Sequence, residues 1–300
     1  MKRTVGLDKT FPWEVKTIAE SDSGPALNPD LILPGQEEEE KDRFQTSNSK
    51  SANYANLKNG IGVKCRNGWV RNCTVLHVWY AAVSIGGSEY CTVRDCASLQ
   101  QVGPVRGGKR YTFNIGSSHG ILVYNCSSEN GRHDFVVGAR TCGPNAFVKC
   151  SAPQGGNGEP HHRWGNGTLW DNISMPNGGS LCSFNRGDSG SGHGWAGANI
   201  VFWNCAAKGI VVFDPETDGE NNFAIGYTGE EDRDFNTGNV KYANDRSGYW
   251  DTPREGVYYG YAAMGNGYIE SPGEPVEPRS LFEQQLIDRI GKEKAEAVLK

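Results

Sequence analysis

A short apolar segment recurs six times in the middle of the chain and constrains the fold more than any other feature. The copies read GWVRNC, TVRDC, ILVYNC, AFVKC, TLWDN and IVFWNC, and they end at residues 73, 96, 126, 150, 172 and 205. The steps between these ends are 23, 30, 24, 22 and 33 residues, and such a period is typical of a solenoid. Runs of four to six mostly β-branched or aromatic residues, bounded by Gly or Asn, indicate strands rather than helices.

The repeat predicts an all-β fold, a parallel β-helix in which each unit forms one coil of short strands. Stacked coils pair each strand in parallel with its equivalent in the next coil, so like residues form internal ladders. The asparagines that precede several of the cysteines are expected at turns. We expect the cysteines to stack as small buried hydrophobic residues rather than as disulfides or metal ligands. They are Cys73, Cys96, Cys126, Cys150 and Cys205.

The chain divides into three parts. Residues 1–58 form an N-terminal extension with an acidic linker, and residues 59–277 form the β-helix with an irregular wrapping segment. In residues 278–300, apolar side chains at 282, 286 and 290 predict an amphipathic helix, with Ser280 as N-cap and Glu283 three residues later. We expect this helix to cap the open end of the solenoid, where strand edges would otherwise be exposed.

Positive charge is concentrated in the repeats, although the whole chain has a formal net charge of −5. Residues 61–212 contain 13 Lys and Arg against 7 Asp and Glu, which favours a groove for a polyanion. No nucleic-acid-binding motif is present, so an acidic polysaccharide or oligosaccharide is the expected partner. No apolar run reaches the roughly 18 residues of a membrane span, and no signal peptide is visible.

Dense polar clusters interrupt the coils at similar distances from the next strand end. Because successive coils are about 5 Å apart, similar offsets place residues on the same side of a solenoid. We therefore predict a functional stripe along that side. Its predicted catalytic residues are His162, His133, Arg132, Arg163, Arg110 and Tyr111, and its predicted substrate-binding residues are His161, His193, Arg186, Trp164, Trp195, Asp134 and Asp188.

The motifs GRHDF, GPN, PHHRW, TLWDN, NRG, GHGWAGAN and VFWNC, with a PRSL-type terminal helix, resemble a bacterial group within the pectate-lyase-like superfamily. The resemblance covers roughly residues 59–230 and the terminal helix. It implies a right-handed parallel β-helix, an association with polysaccharide use, and export from the cell. The superfamily includes lyases, hydrolases and non-catalytic binding proteins, so the fold does not determine the reaction.

A polysaccharide lyase that cleaves a uronate-containing polysaccharide by β-elimination accounts for most of the stripe. Arginine binds a carboxylate bidentately, a neutral histidine removes the C5 proton, and Tyr111 is placed to protonate the leaving oxygen. The arginine candidates are Arg132, Arg163 and Arg110, and the histidine candidates are His162 and His133, with His193 behind them.

Three alternatives stay open. A glycoside hydrolase would use two carboxylates, for which Asp134 and Asp188 are the candidates. A non-catalytic protein would use the same basic and aromatic residues to bind an anionic glycan, as an adhesin does. A calcium ion held by Asp134 or Asp188 is left open, although acidic residues are few in the repeats. A zinc site at His161, His162 and His193 is disfavoured, because adjacent histidines on a strand point to opposite faces.

Overall fold

A computed structural model describes residues 4–7, 14–17, 58–102, 105, 107–186, 193–215, 219–231 and 265–300, the first two ranges and 265–266 by their backbone alone. The strands are β1 Thr4–Leu7, β2 Glu14–Thr17, β3 Asn59–Lys64, β4 Gly68–Arg71, β5 Thr74–Leu76, β6 Ala81–Gly86, β7 Thr92–Arg94, β8 Ala97–Leu99, β9 Tyr111–Gly116, β10 Ile121–Tyr124, β11 Ser127–Ser128, β12 His133–Val137, β13 Cys142–Val148, β14 Asn157–Pro160, β15 Gly165–Asp171, β16 Ser174–Ser183, β17 Gly197–Ala198, β18 Val201–Trp203, β19 Ala206–Asp214, β20 Phe223–Ile225, β21 Thr228–Glu231, β22 Gly265–Asn266 and β23 Tyr268–Glu270. The helices are α1 Leu281–Ile290 and α2 Lys292–Leu299.

The strands form stacked, mostly parallel sheets, which confirms the all-β prediction and is compatible with a β-helix. Sheet I has the order β1-β4-β7-β10-β13-β15-β18-β20-β23, with β17 beside β15. Sheet II has the order β2-β3-β6-β9-β12-β14-β16-β19-β21, with β22 beside β19, and sheet III has the order β11-β8-β5. The chain visits sheets II, I and III in turn, as β3, β4, β5, then β6, β7, β8, then β9, β10, β11.

The repeated segments pair in parallel and form an internal ladder, as predicted. The register aligns Val70 with Val93, Val93 with Val123, and Val123 with Phe147, and the ladder continues through Trp170 and Phe202. All the repeat cysteines are free thiols, and their side chains are buried in the core, which confirms the prediction for them. They are Cys73, Cys96, Cys126, Cys150 and Cys205.

In each copy of the repeat, one residue turns the chain out of sheet I. It directly precedes the repeat cysteine, or Ile173 at the same place in the fifth copy. In all six copies this residue has a left-handed backbone conformation with φ between 48° and 56°. Asn and Asp adopt this conformation more readily than other non-glycine residues, which explains their recurrence. The six residues are Asn72, Asp95, Asn125, Lys149, Asn172 and Asn204.

The C-terminal residues form two helices that lie on the side of sheet I, which corrects the prediction of an end cap. Phe282 of α1 and Leu299 of α2 pack with Tyr124, Ala146 and Val148 of β10 and β13, and these strands lie in the middle of the sheet. The Ser280 hydroxyl accepts from Glu283 N at 3.2 Å as the predicted N-cap, and it donates to Asp171 Oδ2 at 2.7 Å. An amphipathic pattern reveals an apolar face but not which surface covers it.

Part of the predicted organisation lies outside the described residues. This applies to the acidic linker at 37–43 and to residues 232–264 of the wrapping segment. The described parts of that segment add β20, β21 and β23 to sheets I and II. Neither α1 nor α2 is long and apolar enough to cross a membrane.

Candidate functional site

A compact group of aromatic and charged side chains lies where several strands of sheet II begin or end. Tyr111 begins β9, His133 begins β12, Glu159 lies in β14, and His161 follows β14 directly. We call the group the histidine cluster. Its members are Tyr111, His133, Glu159, His161, His162, Arg186 and His193.

The parallel register aligns these residues along the stack of coils. Tyr111 pairs with His133 in the backbone ladder, and their ring centroids are 4.7 Å apart. The next ring contacts are His133 to His161 at 4.2 Å and His161 to His193 at 4.9 Å. On the other side, the ring of Tyr80 stacks on Tyr111 at 5.1 Å. Neighbouring strands are about 4.8 Å apart, so the row follows the spacing of the strands.

A chain of polar contacts leads from a buried carboxylate to the hydroxyl of Tyr111. His161 Nδ1 lies 2.6 Å from Glu159 Oε1, and His161 Nε2 lies 2.9 Å from the Tyr111 hydroxyl. Arg132 Nη1 donates to the same hydroxyl at 3.3 Å. Tyr111 therefore lies between a cation and an imidazole nitrogen, an arrangement suited to holding and moving a proton at its oxygen.

The position of the His161 proton follows from the partners of Nδ1. Arg186 Nη1 lies 2.6 Å from this nitrogen, 2.7 Å from Glu159 Oε1 and 3.1 Å from the His161 carbonyl oxygen. A guanidinium only donates hydrogen bonds. Arg186 would therefore pair with an unprotonated Nδ1, whereas Glu159 would pair with a protonated Nδ1. We assign the proton to Nδ1, where it donates to Glu159, since Arg186 has two oxygen acceptors. Nε2 then accepts a hydrogen bond from Tyr111.

His133 is a buried imidazole whose nitrogens lack suitable partners. Its Nδ1 is 2.8 Å from Glu159 Oε1, yet neither ring nitrogen has a hydrogen bond of acceptable geometry among the described residues. The side chain is only 3% exposed. Leaving buried polar atoms without partners costs about 1–3 kcal/mol, so this position is unfavourable for stability by itself.

The electrostatics of the cluster keep its histidines neutral. Burial lowers the pKa of all four, and nearby arginines lower it further; the pKa of His133 and that of His193 fall to about 3. Burial acts to raise the pKa of Glu159, but Arg186 and the two neighbouring histidines together outweigh it and hold that pKa well below the usual range. His161 stabilises the charge of Glu159 as a neutral hydrogen-bonding group rather than as a cation.

Tyr111 keeps its proton in the resting site. Burial raises the pKa of its hydroxyl, and the positive charges of Arg132 and Arg186 oppose that rise. The phenol is therefore a hydrogen-bond donor to His161 Nε2 near neutral pH.

Two of the predicted site residues have structural surroundings instead. Asp134 is fully buried, and it accepts from the Thr112 hydroxyl at 2.8 Å and from Gly156 N at 2.7 Å. A Cβ at Gly131 would lie 1.9 Å from Asp134 Oδ1, so the surrounding chain is shaped around this carboxylate. Arg110 donates to the carbonyl oxygens of Asn130 and Gln101. The structure brings neither side chain into the histidine cluster.

Three further predicted residues, Arg163, Trp164 and Trp195, lie in the chain beside members of the cluster. The positive charge of Arg163 contributes to the lowered pKa of His162, and Trp164 is 42% exposed. Trp164 N donates to Trp195 O at 2.7 Å, while the ring of Trp195 packs on the outer apolar group that contains Phe184. Asp188 lies outside the described residues.

Glu159 is the central residue that the sequence analysis missed. It occurs in the glycine-rich run GNGEPHHRW, two residues before His161. Residues i and i+2 of an extended chain lie on one face, so this spacing was a usable signal for a carboxylate–imidazole pair.

Two groups in the described part of the chain have donor atoms spaced for a metal ion. They are His161, His162 and His193, and His133, Glu159 and His161, with all donor atoms of each group within 4.8 Å of one another. The expectation that His161 and His162 point apart is wrong, because both follow the end of β14 and their ring centroids are 4.7 Å apart.

The chain matches no known protein family, no curated protein and no solved structure in the comparisons made with it. The stacked parallel sheets are compatible with a β-helix, and they do not identify a superfamily.

Proposed function

We propose that the chain is a right-handed parallel β-helix of the pectate-lyase-like kind, whose histidine cluster cleaves an acidic, uronate-containing polysaccharide by β-elimination. One observation carries the reaction: the Tyr111 hydroxyl lies between Arg132 Nη1 and His161 Nε2, at 3.3 and 2.9 Å. The repeated passage through sheets II, I and III supports the fold.

β-Elimination needs a group to neutralise the uronate carboxylate, a base for the C5 proton and an acid for the leaving oxygen. Arg132 is partly exposed beside Tyr111, and its planar fork suits the carboxylate. Tyr111 oxygen takes the C5 proton as its own proton passes to His161 Nε2. The C5 electron pair forms the C4–C5 double bond as the C4–O bond breaks. Tyr111 then gives a proton to the leaving oxygen, and His161 returns the phenol proton to Tyr111.

Glu159 and Arg186 act as positioning residues in this scheme. Glu159 accepts the Nδ1 proton of His161 and so keeps Nε2 directed at Tyr111. Arg186 holds Glu159 ionised through a 2.7 Å contact. A carboxylate that orients a histidine in this way fixes both its tautomer and its ring position.

The carboxylates give less support to a glycoside hydrolase. That reaction uses two carboxyl groups facing each other across the bond, about 5–9.5 Å apart. Within the residues that the structure describes, Glu159 is the carboxylate of the cluster, and Asp134 is engaged with Thr112 and Gly156. The exposed ring of Trp164 is available to stack on a sugar face.

The test is to mix the protein with a panel of acidic polysaccharides and follow the ultraviolet absorbance of an unsaturated sugar product. A rise in absorbance with a uronate-containing substrate supports elimination. New reducing ends without that absorbance would show a hydrolase and contradict the proposal. Binding without either product would leave the cluster as a glycan-binding surface, and the elimination proposal would be wrong.

A further inference from the structure

Three imidazoles of the cluster converge beside Tyr111. The ring centroids of His162 and His193 are 4.1 Å apart, those of His161 and His162 are 4.7 Å apart, and those of His161 and His193 are 4.9 Å apart. One ring nitrogen from each residue lies within 4.8 Å of the others. The three come from two separate chain segments, the turn after β14 and the residues before β17.

A second observation points to a ligand at this place. His193 is 7% exposed, and its Nδ1 has no hydrogen-bond partner in the described part of the chain. A buried ring nitrogen without a hydrogen-bond partner is unfavourable unless it binds something.

We propose that His161, His162 and His193 bind one divalent transition-metal ion of the zinc type. This proposal deepens the proposed function. The role of the metal in the reaction rests on that function, whereas the binding of the ion does not. Three histidines with a fourth position open to water or substrate are a common catalytic zinc arrangement. Imidazole ligands suit zinc, copper, nickel or iron, whereas calcium and magnesium take oxygen ligands.

Modest side-chain movement brings the ligands to coordination distance. Zinc–nitrogen bonds of about 2.0–2.1 Å in a tetrahedron place the nitrogens about 3.4 Å apart. Nitrogens at the 4.8 Å limit of the present spacing must therefore move together by about 1.4 Å. His162 is partly exposed and lies in a turn, which leaves its ring room to rotate. A metal on His161 Nε2 replaces the hydrogen bond from Tyr111, so in the metal-bound form the ion, and not His161, would stabilise the Tyr111 phenolate.

Arg132 lies near this site, because its Nη1 is 3.3 Å from the same Tyr111 hydroxyl. A metal ion there neutralises a substrate carboxylate together with Arg132, and it favours the phenolate form of Tyr111 through its charge. Glu159, at 2.6 Å from His161 Nδ1, orients the ligand from behind, as carboxylates commonly do for metal-bound histidines.

The experiment is a cobalt(II) titration of the full, metal-stripped chain, read by the visible d–d absorption of cobalt with nitrogen ligands. The variants are His193→Ala and the milder His162→Gln, and the control is His119→Gln, a histidine whose ring packs on Tyr90 away from the cluster. Circular dichroism and melting temperature check that each variant is folded.

We expect saturation at one cobalt per chain, at least a tenfold weaker binding in each cluster variant, and unchanged binding in His119→Gln. No saturable absorption in the wild-type chain, or equal absorption in a folded His162→Gln variant, would overturn the metal site. Elimination assays on metal-stripped and zinc-loaded protein separate the two proposals. Elimination without cobalt binding leaves the lyase standing, and cobalt binding without elimination by either form leaves the metal site standing.

Discussion

Two buried carboxylates, Asp134 and Glu159, lie in neighbouring strands and have opposite surroundings. Asp134 accepts from the Thr112 hydroxyl and from a backbone N–H, and burial raises its pKa. Glu159 contacts a guanidinium and two imidazoles, and its pKa lies well below the usual range. The first carboxylate is bound by hydroxyl and backbone groups, whereas the second carries a negative charge among titratable side chains.

Burial alone does not mark a functional carboxylate. Both side chains are almost completely inaccessible, so exposure gives no distinction between them. What differs is the chemistry of the partners: hydroxyl and backbone groups satisfy Asp134, while titratable side chains surround Glu159. Perturbed titratable groups that contact one another indicate a reaction site more strongly than single ones do.

Replacing Asp134 by Ala should have the largest effect on folding. The change leaves the Thr112 hydroxyl and Gly156 N–H without their acceptor, and each such buried group costs about 1–3 kcal/mol. We expect the free energy of unfolding, measured with urea, to fall by about 3 kcal/mol or more. The elimination rate per folded molecule should stay the same. A loss of rate without a loss of stability would contradict the structural role of Asp134.

Replacing Glu159 by Gln should mainly affect the reaction. Without the carboxylate, His161 loses the group that orients it, and we expect kcat to fall by about 100-fold or more. The free energy of unfolding should change by about 1–3 kcal/mol, the value of hydrogen bonds to a charged group. Initial rates and urea curves on the same preparation measure both. A drop in stability with unchanged kcat would place Glu159 in the same class as Asp134.

A conservative change at Arg132 should have a smaller effect, on substrate binding. Arg132→Lys keeps the positive charge but loses the planar fork that binds a carboxylate through two hydrogen bonds. We expect KM for an acidic polysaccharide to rise about tenfold, with kcat reduced less. Steady-state kinetics at several substrate concentrations separate the two constants. An unchanged KM would mean that another group binds the carboxylate.

The smallest effect is expected at a histidine away from the cluster. His119 packs edge-on against Tyr90 at 5.3 Å, on another part of the coil. His119→Gln should change the free energy of unfolding by less than about 0.5 kcal/mol and leave kcat and KM unchanged. A loss of activity in this variant would show that the site extends beyond the cluster.

The repeating part of the fold was predictable because each coil meets the same physical demands. A small apolar residue fits the position of Cys126 and Cys150, and a residue that tolerates positive φ fits the position of Asn125 just before it. These demands recur in every coil, so they leave a periodic signal in the sequence. The parallel pairing of the strands follows from it.

The site was predictable only in outline, since its members differ from one coil to the next. The offsets of His162 and His193 from the strand ends indicated a common side, but Glu159 has no counterpart in other coils to mark it. Asp134, one residue from His133, has its carboxylate directed to Thr112 and Gly156. Orientation near the start of a strand depends on local backbone shifts, such as the irregularity between His133 and Phe135, which a sequence does not reveal.

The elimination rate of the Tyr111→Phe variant is the most direct test of proton exchange between Tyr111 and the substrate. Phenylalanine keeps the ring that stacks between Tyr80 and His133 and removes only the hydroxyl. We expect the rise in absorbance of the unsaturated product to slow by about 10²–10⁴-fold, with melting temperature and circular dichroism little changed. A Tyr111→Phe variant that eliminates as fast as the wild-type chain would contradict this proton exchange.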